Sequence, residues 1–112
     1  MADTLHLEQV SFEIILHAGN ARSSAMEALQ HVKNNEYDSG NQKIQEAEAE
    51  LLQAHQAQTR LLQKEAQGEG EGLSPNLLLI HAQDHLMTSM TVKDVAKEMI
   101  QLYQELRSGK PK

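Results

Sequence analysis

Apolar residues recur along most of the chain at steps of three and four, the spacing of one face of an α-helix. One such stripe spans residues 7–32 and a second spans residues 44–65, interrupted by the polar Gln58 and Glu65. A third helical segment runs from about Ser74 to Leu106. The pattern therefore predicts three long helices. The first stripe consists of Leu7, Val10, Ile14, Ala18, Ala21, Ala25, Ala28 and Val32, and the second of Ile44, Ala47, Leu51, Ala54 and Leu61.

Two polar stretches separate these helices. Residues 34–40 read NNEYDSG and are rich in turn-forming and cap-forming residues. Residues 68–75 hold three of the six glycines and the first of the two prolines. Both residue types are costly in a helix interior, by about 1 kcal/mol for Gly and about 3 kcal/mol for Pro. We expect both stretches to be loops, the second disordered, with Ser74 and Pro75 starting the third helix.

The third helix differs between its two halves. Its C-terminal half carries one apolar stripe, whereas apolar residues surround its N-terminal half on nearly every side. A helix that is apolar all round is buried all round, yet each helix of a lone three-helix chain keeps a face toward water. We therefore expect this half to pack against other copies of the chain. The stripe is Val92, Val95, Met99, Leu102 and Leu106, and the surrounding set is Leu77, Leu78, Leu79, Ile80, Leu86, Met87 and Met90.

Composition narrows the possible functions. The length of 112 residues predicts a single domain, residues 1–112. A net charge of −6 argues against a general binder of nucleic acid or anionic membranes. The absence of cysteine excludes thiol catalysis and cysteine zinc sites, and it fits a reducing cytoplasm. Residues 1–10 lack the features of a signal peptide, and the longest apolar run is too short to cross a membrane. We expect a cytoplasmic protein.

The apolar half of the third helix contains the string His81-Ala82-Gln83-Asp84-His85. At about 100° per residue, Asp84 falls in the middle of an apolar strip and His81 lies about 60° from it, on the shoulder. An isolated buried carboxylate needs a partner. If copies of Asp84 converged on a rotation axis, their repulsion would require protonation or a divalent cation such as Mg²⁺ or Ca²⁺.

His81 has suitable chemistry for phosphoryl transfer. A neutral imidazole is available near pH 7 and can attack phosphorus, forming an N–P bond that is labile enough to pass the group on. Such transfer depends mainly on positioning and charge stabilisation. The H-x-x-D spacing alone is a weak signal, because a structural histidine bonded to a neighbouring carboxylate explains it about as well.

A longer segment around His81 is a more specific signal than the H-x-x-D spacing. Residues 79–89, LIHAQDHLMTS, closely resemble the active-site segment of the lactose/cellobiose (N,N'-diacetylchitobiose) family of enzyme IIA components. These belong to the bacterial phosphoenolpyruvate-dependent sugar phosphotransferase system. Residues 15–23, ILHAGNARS, and residues 54–59, AHQAQT, resemble the same family in the same order. The resemblance therefore covers nearly the whole chain.

The resemblance implies an all-α fold, an antiparallel three-helix bundle assembled as a homotrimer with coiled-coil-like packing. It implies a phosphotransferase component whose His81 accepts a phosphoryl group from the histidine-containing phosphocarrier protein and passes it to a cysteine of the cognate IIB component. It also implies that Asp84 of three subunits holds one Mg²⁺ on the trimer axis. The resemblance also implies that the protein contacts the membrane only indirectly, through the IIC permease. Ala82 favours a β-linked disaccharide such as cellobiose or chitobiose over lactose.

Other interpretations stay open. His81, Asp84 and His85 could form the metal-binding face of a helical bundle, although the first two helices offer no matching Glu-x-x-His. A plain coiled-coil adaptor is also possible, in which Asp84 would only fix the helix register. Some nearby side chains have alternative roles: Gln83 and Arg22 could contact a phosphoryl group or be ordinary surface residues, and His17 and His55 are expected to serve packing or hydrogen bonding.

Overall fold

The computed structural model describes the backbone of residues 2–66 and 77–109, with the side chains of residues 6–64 and 77–109. Over these residues the chain forms three helices and no strand: α1 (Ala2–Lys33), α2 (Tyr37–Ala66) and α3 (Leu77–Ser108). The all-helical fold predicted from the apolar spacing is confirmed. The predicted loop at residues 68–75, including the expected start of α3 at Ser74 and Pro75, lies outside the described residues. None of the described helices is long and apolar enough to span a membrane.

Side-chain pairs show how the helices run. In the side-chain pairs between α1 and α2, a higher residue number on one helix goes with a lower residue number on the other, so these helices are antiparallel. The pairs between α2 and α3 follow the same order, so these two helices are antiparallel as well. Consequently α1 and α3 run in the same direction. The α1–α2 pairs are Glu13–Arg60 at 3.1 Å, His17–Glu50 at 2.6 Å and Glu27–Lys43 at 3.7 Å, and the α2–α3 pairs are Glu48–Lys97 at 2.8 Å and Gln58–Gln83.

The predicted stripes of α1 and α2 form the core. Every residue of both stripes is buried, and Leu51 is the most accessible of them at 7%. Many of these positions are alanine, so the two helices can approach closely. Gln58, the polar exception in the α2 stripe, is half-buried and donates a hydrogen bond to Gln83 on α3. The stripes therefore predict which faces of α1 and α2 are buried.

Most of the apolar stripe predicted for the C-terminal half of α3 does not face this core, although Val92 packs against it. Val95, Leu102 and Leu106 are 51%, 54% and 70% exposed. The smaller set Ala82, Leu86, Ser89, Ala96 and Ile100 is buried instead. Periodicity marks an apolar face but does not say what covers it, and α3 has apolar residues on more than one face.

The connection between α1 and α2 is shorter than the predicted loop of residues 34–40. The α1 helix ends in a Schellman motif, in which Asn35 adopts a left-handed φ of 63°. The amide of Asn35 donates to the Val32 carbonyl at 3.0 Å, and the amide of Glu36 donates to the His31 carbonyl at 2.9 Å. Asparagine tolerates this conformation better than most residues. The Glu36 carbonyl then accepts the first α2 hydrogen bond, from the amide of Gly40 at 2.9 Å.

Arg107, near the end of α3, ties this turn to the rest of the bundle. Its guanidinium donates to the carbonyl of Val32 at 2.6 Å, which also accepts from the amide of Asn35, and to the carbonyl of Lys33 at 3.3 Å. It also donates to the Tyr37 hydroxyl at 3.0 Å and lies 4.9 Å from the centre of the Tyr103 ring. One side chain therefore connects all three helices at this end.

Gly40, part of the predicted loop, lies inside α2 and is buried against α1. A β-carbon there would come within 2.7 Å of Val32 Cγ2 and 3.1 Å of the Ala28 carbonyl oxygen. We expect Gly40→Ala to lower the free energy of unfolding by about 1 kcal/mol. Overpacking of the new methyl group costs about 2 kcal/mol, whereas the better helix propensity of alanine contributes about 1 kcal/mol. A β-carbon at Gly19 would meet no atom within 4 Å among the described residues outside its own helical backbone, so Gly19→Ala should stabilise the protein. Urea denaturation of both variants compares them, and stabilisation by both substitutions would contradict the close contact at Gly40.

Glu48 on α2 is held by lysines of α3, with Lys97 Nζ at 2.8 Å and Lys93 Nζ at 3.7 Å. The hydrogen bond from Lys97 lowers the pKa of Glu48 below 4.5, although partial burial opposes the shift. The bond from Glu48 raises the pKa of Lys97 above 10.5. Because the side chains are partly exposed, the stabilisation is small.

The stability contributed by Glu48 should therefore depend on pH. A carboxyl group whose pKa is lower in the folded state contributes fully above its unfolded pKa and loses that contribution as the pH falls through the folded value. Lys97 loses its contribution only as the pH rises through its raised pKa. We expect Glu48→Gln to be less stable than wild type in urea at about pH 7 and equal to it at about pH 2. An equal difference at both pH values would show that the pair does not act through ionisation.

Candidate functional site

His81 lies in the second turn of α3 with its side chain exposed. The adjacent Ala82 is fully buried and Leu86 is 1% exposed, so the backbone of this turn is anchored to the core. Because a helix position is more rigid than a loop position, the imidazole is presented to the outside in a defined direction. The structure therefore places the predicted nucleophile where a partner protein can reach it.

The ring of His85 packs against that of His81. The two rings meet edge to face, with their centroids 4.6 Å apart and their planes at 87°. They are one helical turn apart, which brings side chains of the same face together. Within the described residues, neither ring has a hydrogen bond or ion pair with Asp84. The interpretation of His81 as a structural histidine paired with that carboxylate therefore has no support, whereas His85 restricts the orientation of the His81 ring.

Asp84 lies in a stripe of exposed, mostly apolar residues on α3. Leu77, Ile80 and Met87 are 84%, 49% and 58% exposed. Thr88, beside the stripe, turns its hydroxyl to the Asp84 carbonyl at 2.8 Å. The Asp84 carboxylate has no ion pair or hydrogen bond within the described residues. We name this surface the α3 stripe; it consists of Leu77, Ile80, Asp84, Met87, Thr91, Val95, Leu102 and Leu106.

The α3 stripe has an 11-residue repeat. Ile80, Thr91 and Leu102 are spaced by 11, and so are Asp84, Val95 and Leu106. Eleven residues make three turns at about 3.67 residues per turn, close to the period of a straight helix. The stripe therefore runs almost parallel to the helix axis, and the exposed Glu98, 11 residues after Met87, falls on the same line. Exposed large apolar side chains aligned in this way are unusual on a monomer and indicate contact with another protein chain.

Gln83 is turned away from the α3 stripe and toward α2, where its side-chain oxygen accepts a hydrogen bond from Gln58. Next to this bond, a groove of about 340 Å³ lies between α2 and α3, and it is lined by Glu48, Leu51, Leu52 and His55 of α2 and by Met90 and Lys93 of α3. The spacing of residues along the chain does not reveal this groove, because the groove depends on how α2 is rotated against α3.

The remaining candidates have structural or surface positions. His17 contacts Glu50 of α2 at 2.6 Å, as expected for a hydrogen-bonding residue, and Arg22 is exposed. The part of the chain that the structure describes brings no three His, Asp or Glu side chains together in an arrangement that could hold a metal ion. A metal site built by a single chain from His81, Asp84 and His85 therefore has no support.

Residues 9–104 match the family of phosphotransferase-system (PTS) IIA subunits specific for lactose or cellobiose. The matched range covers most of the chain and includes His81 and Asp84. The chain belongs to this lactose/cellobiose IIA family, as the resemblance of residues 79–89 predicted.

Individual relatives have several sugar names. The lichenan-specific phosphotransferase enzyme IIA component of Bacillus subtilis (strain 168) is 51% identical over 100 residues, 89% of each chain. The lactose-specific EIIA component of Streptococcus mutans is 46% identical over 84% of this chain and 88% of its own length. These values do not separate one sugar from another.

Solved structures support the fold. The cellobiose-specific enzyme IIA of Bacillus anthracis superposes with a TM-score of 0.85 at 46% identity, over 91% of this chain and 92% of its own. The IIA(chitobiose) component of Escherichia coli, solved in complex with HPr, superposes with a TM-score of 0.78 at 37% identity, over 90% of this chain and 96% of its own.

Proposed function

We propose that this IIA component is a phosphotransferase component that carries a phosphoryl group on His81. It accepts the group from the histidine-containing phosphocarrier protein, HPr, and passes it to a cysteine of the cognate IIB component. The observation that carries this proposal is the exposed His81 imidazole, held on an anchored turn within the segment that resembles the family's active site. The E. coli relative solved in complex with HPr supports the choice of donor.

The chemistry needs little from the protein beyond positioning. A ring nitrogen of His81 attacks phosphorus in line, so an N–P bond forms as the N–P bond to the donor histidine breaks. In the second step the thiolate of IIB attacks, an S–P bond forms, and the electron pair of the N–P bond returns to the imidazole. Neither step requires a general acid or base hydrogen-bonded to His81, and positioning with charge stabilisation is sufficient.

We further propose that the protein is a homotrimer with the α3 stripe of each subunit on the three-fold axis. The exposed leucines and isoleucine of that stripe support an interface, because isolated chains in water rarely keep such a surface uncovered. The packing is coiled-coil-like, and the 11-residue repeat predicts nearly straight helices instead of a left-handed supercoil.

One Mg²⁺ on that axis fits the residues present. Each chain contributes the carboxylate of Asp84, which has no ion pair within the described residues, and one carboxylate alone cannot hold the ion. Three carboxylates converging on the axis supply the oxygen ligands that Mg²⁺ prefers. When bound, the ion neutralises their mutual repulsion.

The identity of the transported sugar stays a prediction. We propose a β-linked disaccharide of the cellobiose or chitobiose type, taken up through a membrane-embedded IIC permease while this component remains cytoplasmic. The predicted preference rests on Ala82, which is fully buried and therefore cannot contact a partner directly. Growth of a strain lacking this chain, on cellobiose, chitobiose and lactose in turn, identifies the sugar by the medium on which growth fails.

Transfer of label tests the proposed function. The protein is incubated with radioactive phosphoenolpyruvate, the general PTS enzyme and HPr, with a characterised IIA protein as a positive control. Acid-labile, base-stable label that depends on HPr, and that then moves to the IIB component, supports the proposal. Absence of label on this chain while the control protein is labelled would reject it.

A further inference from the structure

Arg22 on α1 is an exposed cation that has no partner within the described part of its own chain. Its side chain makes no ion pair or hydrogen bond with any of the described residues. The two other arginines of the chain are both bound to a second helix. Arg60 lies 3.1 Å from Glu13, and Arg107 donates to the Val32 carbonyl at 2.6 Å. Arg22 is therefore the arginine whose charge the described residues leave unpaired.

Arg22 lies on the side of α1 that is turned away from α2. Three residues of α1 pair with α2, and each lies about 140° to 180° around the helix from Arg22, at about 100° per residue. These residues are Glu13, His17 and Glu27. Because α1 packs against both α2 and α3, Arg22 lies on the α3 side. We name the side of the subunit formed by α1 and α3 the α1 flank.

The opposite side of the subunit, formed by α2 and α3, exposes two carboxylates, and we name it the α2 flank. Asp94 lies 11 residues after Gln83, which accepts a hydrogen bond from α2, so both lie on the same side of α3. The Asp94 side chain is 66% exposed, and its one ion pair within the described residues is with Lys93 Nζ at 2.7 Å. Glu48 on α2 is 40% exposed and lies 3.7 Å from the same lysine. Both carboxylates therefore keep accessible surface for a further cation.

Arg22, Glu48 and Asp94 lie at nearly the same height along the bundle. Two ion pairs between α1 and α2 lie on either side of Arg22 and at equal distance from it along α1. Midway between their α2 members is residue 46 or 47, so Glu48 lies within about 3 Å of the height of Arg22. Glu48 in turn contacts two lysines of α3, one on either side of Asp94. The α1–α2 pairs are His17–Glu50 and Glu27–Lys43, and the lysines are Lys93 and Lys97.

Three-fold symmetry brings these charges together. If the α3 stripe lies on the axis, as in the trimer proposed above, the α1 flank of each subunit faces the α2 flank of the next, because cyclic interfaces are heterologous. A rotation about an axis parallel to α3 leaves heights along the bundle unchanged. Arg22 of one subunit therefore lies level with Asp94 and Glu48 of the next, across the interface.

We propose that Arg22 of each subunit forms an ion pair with Asp94 of the next subunit, with Glu48 as a second acceptor. The planar guanidinium presents its N–H donors as a fork, so it can bond two carboxylate groups at once. Three such pairs close the ring, and opposite charges at one height fix the register of one subunit against the next. The apolar side chains of the α3 stripe alone do not define that register. The surface therefore fits a second copy of this chain.

The proposed ion pairs are separate from phosphoryl transfer. Asp94 lies 13 residues from His81, about 20 Å along α3. The inference rests on the proposed trimer, and labelling of His81 neither supports nor contradicts it. The experiments that test the ion pairs therefore measure assembly.

Reversal of either charge should weaken the trimer. Arg22→Glu places an anion opposite Asp94, and Asp94→Arg places a cation opposite Arg22. Because like charges repel across an interface, we expect each variant to dissociate at a protein concentration about tenfold higher than the wild type, measured by analytical ultracentrifugation. Arg60→Glu is the matched control: Arg60 is also exposed but pairs with Glu13 of its own chain, so its reversal should leave assembly unchanged. Circular dichroism checks that each variant is folded.

A mixture of the two variants tests whether the pair joins two subunits. In a trimer that holds both chains, the substituted position 22 of one chain faces the substituted position 94 of the other, and native Arg22 faces native Asp94 at a second interface. Opposite charges therefore return at two of the three interfaces. We expect the mixture to assemble at a lower concentration than either variant alone, and a chain that carries both substitutions to assemble like the wild type.

The outcomes separate the ion pair from the trimer. A wild-type protein that stays monomeric would reject the trimer and the pair together. A trimeric wild type with undiminished assembly of both variants would overturn the pair alone. Rescue by the doubly substituted chain but not by the mixture would place the pair within one chain and overturn the inference as well. Should a reversal unfold the chain, Arg22→Gln and Asp94→Asn replace it in a double-mutant cycle, where non-additive losses of assembly support the pair and additive losses contradict it.

Discussion

His81→Ala should accept no phosphoryl group, so its labelling from phosphoenolpyruvate should fall to background. The nucleophile of the transfer is lost, and within the described residues the only ring in contact with it is His85. Because His81 is exposed and its removal leaves the buried Ala82 and Leu86 in place, the variant should fold and assemble like the wild type. Label incorporation, measured together with circular dichroism and size-exclusion chromatography, checks both expectations.

His85→Ala is the matched control for this variant. It removes the edge-to-face contact that restricts the His81 ring, which should slow phosphorylation by less than about tenfold. His55→Ala, on the exposed edge of α2, controls for the loss of any exposed histidine. Full labelling of His81→Ala, or loss of labelling in His85→Ala alone, would contradict the assignment of His81 as the carrier residue.

Asp84→Leu should make the assembly independent of divalent cations and more stable, by about 1–4 kcal/mol per trimer. In the proposed trimer, the substitution replaces carboxylates that repel one another on the axis with side chains that match Ile80 and Met87 of the same stripe, and such replacements are often stabilising. Thermal denaturation with EDTA measures the effect. EDTA should lower the melting temperature of the wild type and leave that of Asp84→Leu unchanged.

Asp84→Asn distinguishes the effect of removing the charge from the effect of adding an apolar side chain. It removes the repulsion but keeps a polar side chain, so it should lose the dependence on metal without gaining the apolar contact. A clear fall in the stability of Asp84→Leu in EDTA, relative to wild type in EDTA, would contradict an axial position for this residue. Equal EDTA sensitivity of all three proteins would place the metal elsewhere.

The sequence pattern predicted the three helices and the buried faces of α1 and α2, but not the buried face of the C-terminal half of α3. Every residue of the α1 stripe is buried, although α1 also has apolar side chains outside the stripe, such as Phe12 and Leu16, that are 59% exposed. On α3, by contrast, Val95 and Leu102 belong to a predicted stripe and are exposed. Gly40 was part of a predicted loop but is a contact glycine within α2. Both differences arise from interhelical packing, which residue spacing does not encode.

The candidate site was predicted in part. The string at residues 79–89 indicated both His81 and Asp84, and both residues are exposed on α3. Gln83 bonds to Gln58 instead of standing free for a phosphoryl group. These positions depend on the rotation of α2 against α3, and that rotation becomes visible only in three dimensions.

Mass spectrometry of peptides from the phosphorylated protein, prepared at alkaline pH, identifies the residue that carries the phosphoryl group. Fragmentation of the peptide that spans residues 77–93 distinguishes His81 from His85 within one molecule. We expect a single phosphoryl group on His81, present after incubation with HPr and absent without it. A phosphoryl group on His85, or on a histidine of α1 or α2, would contradict it.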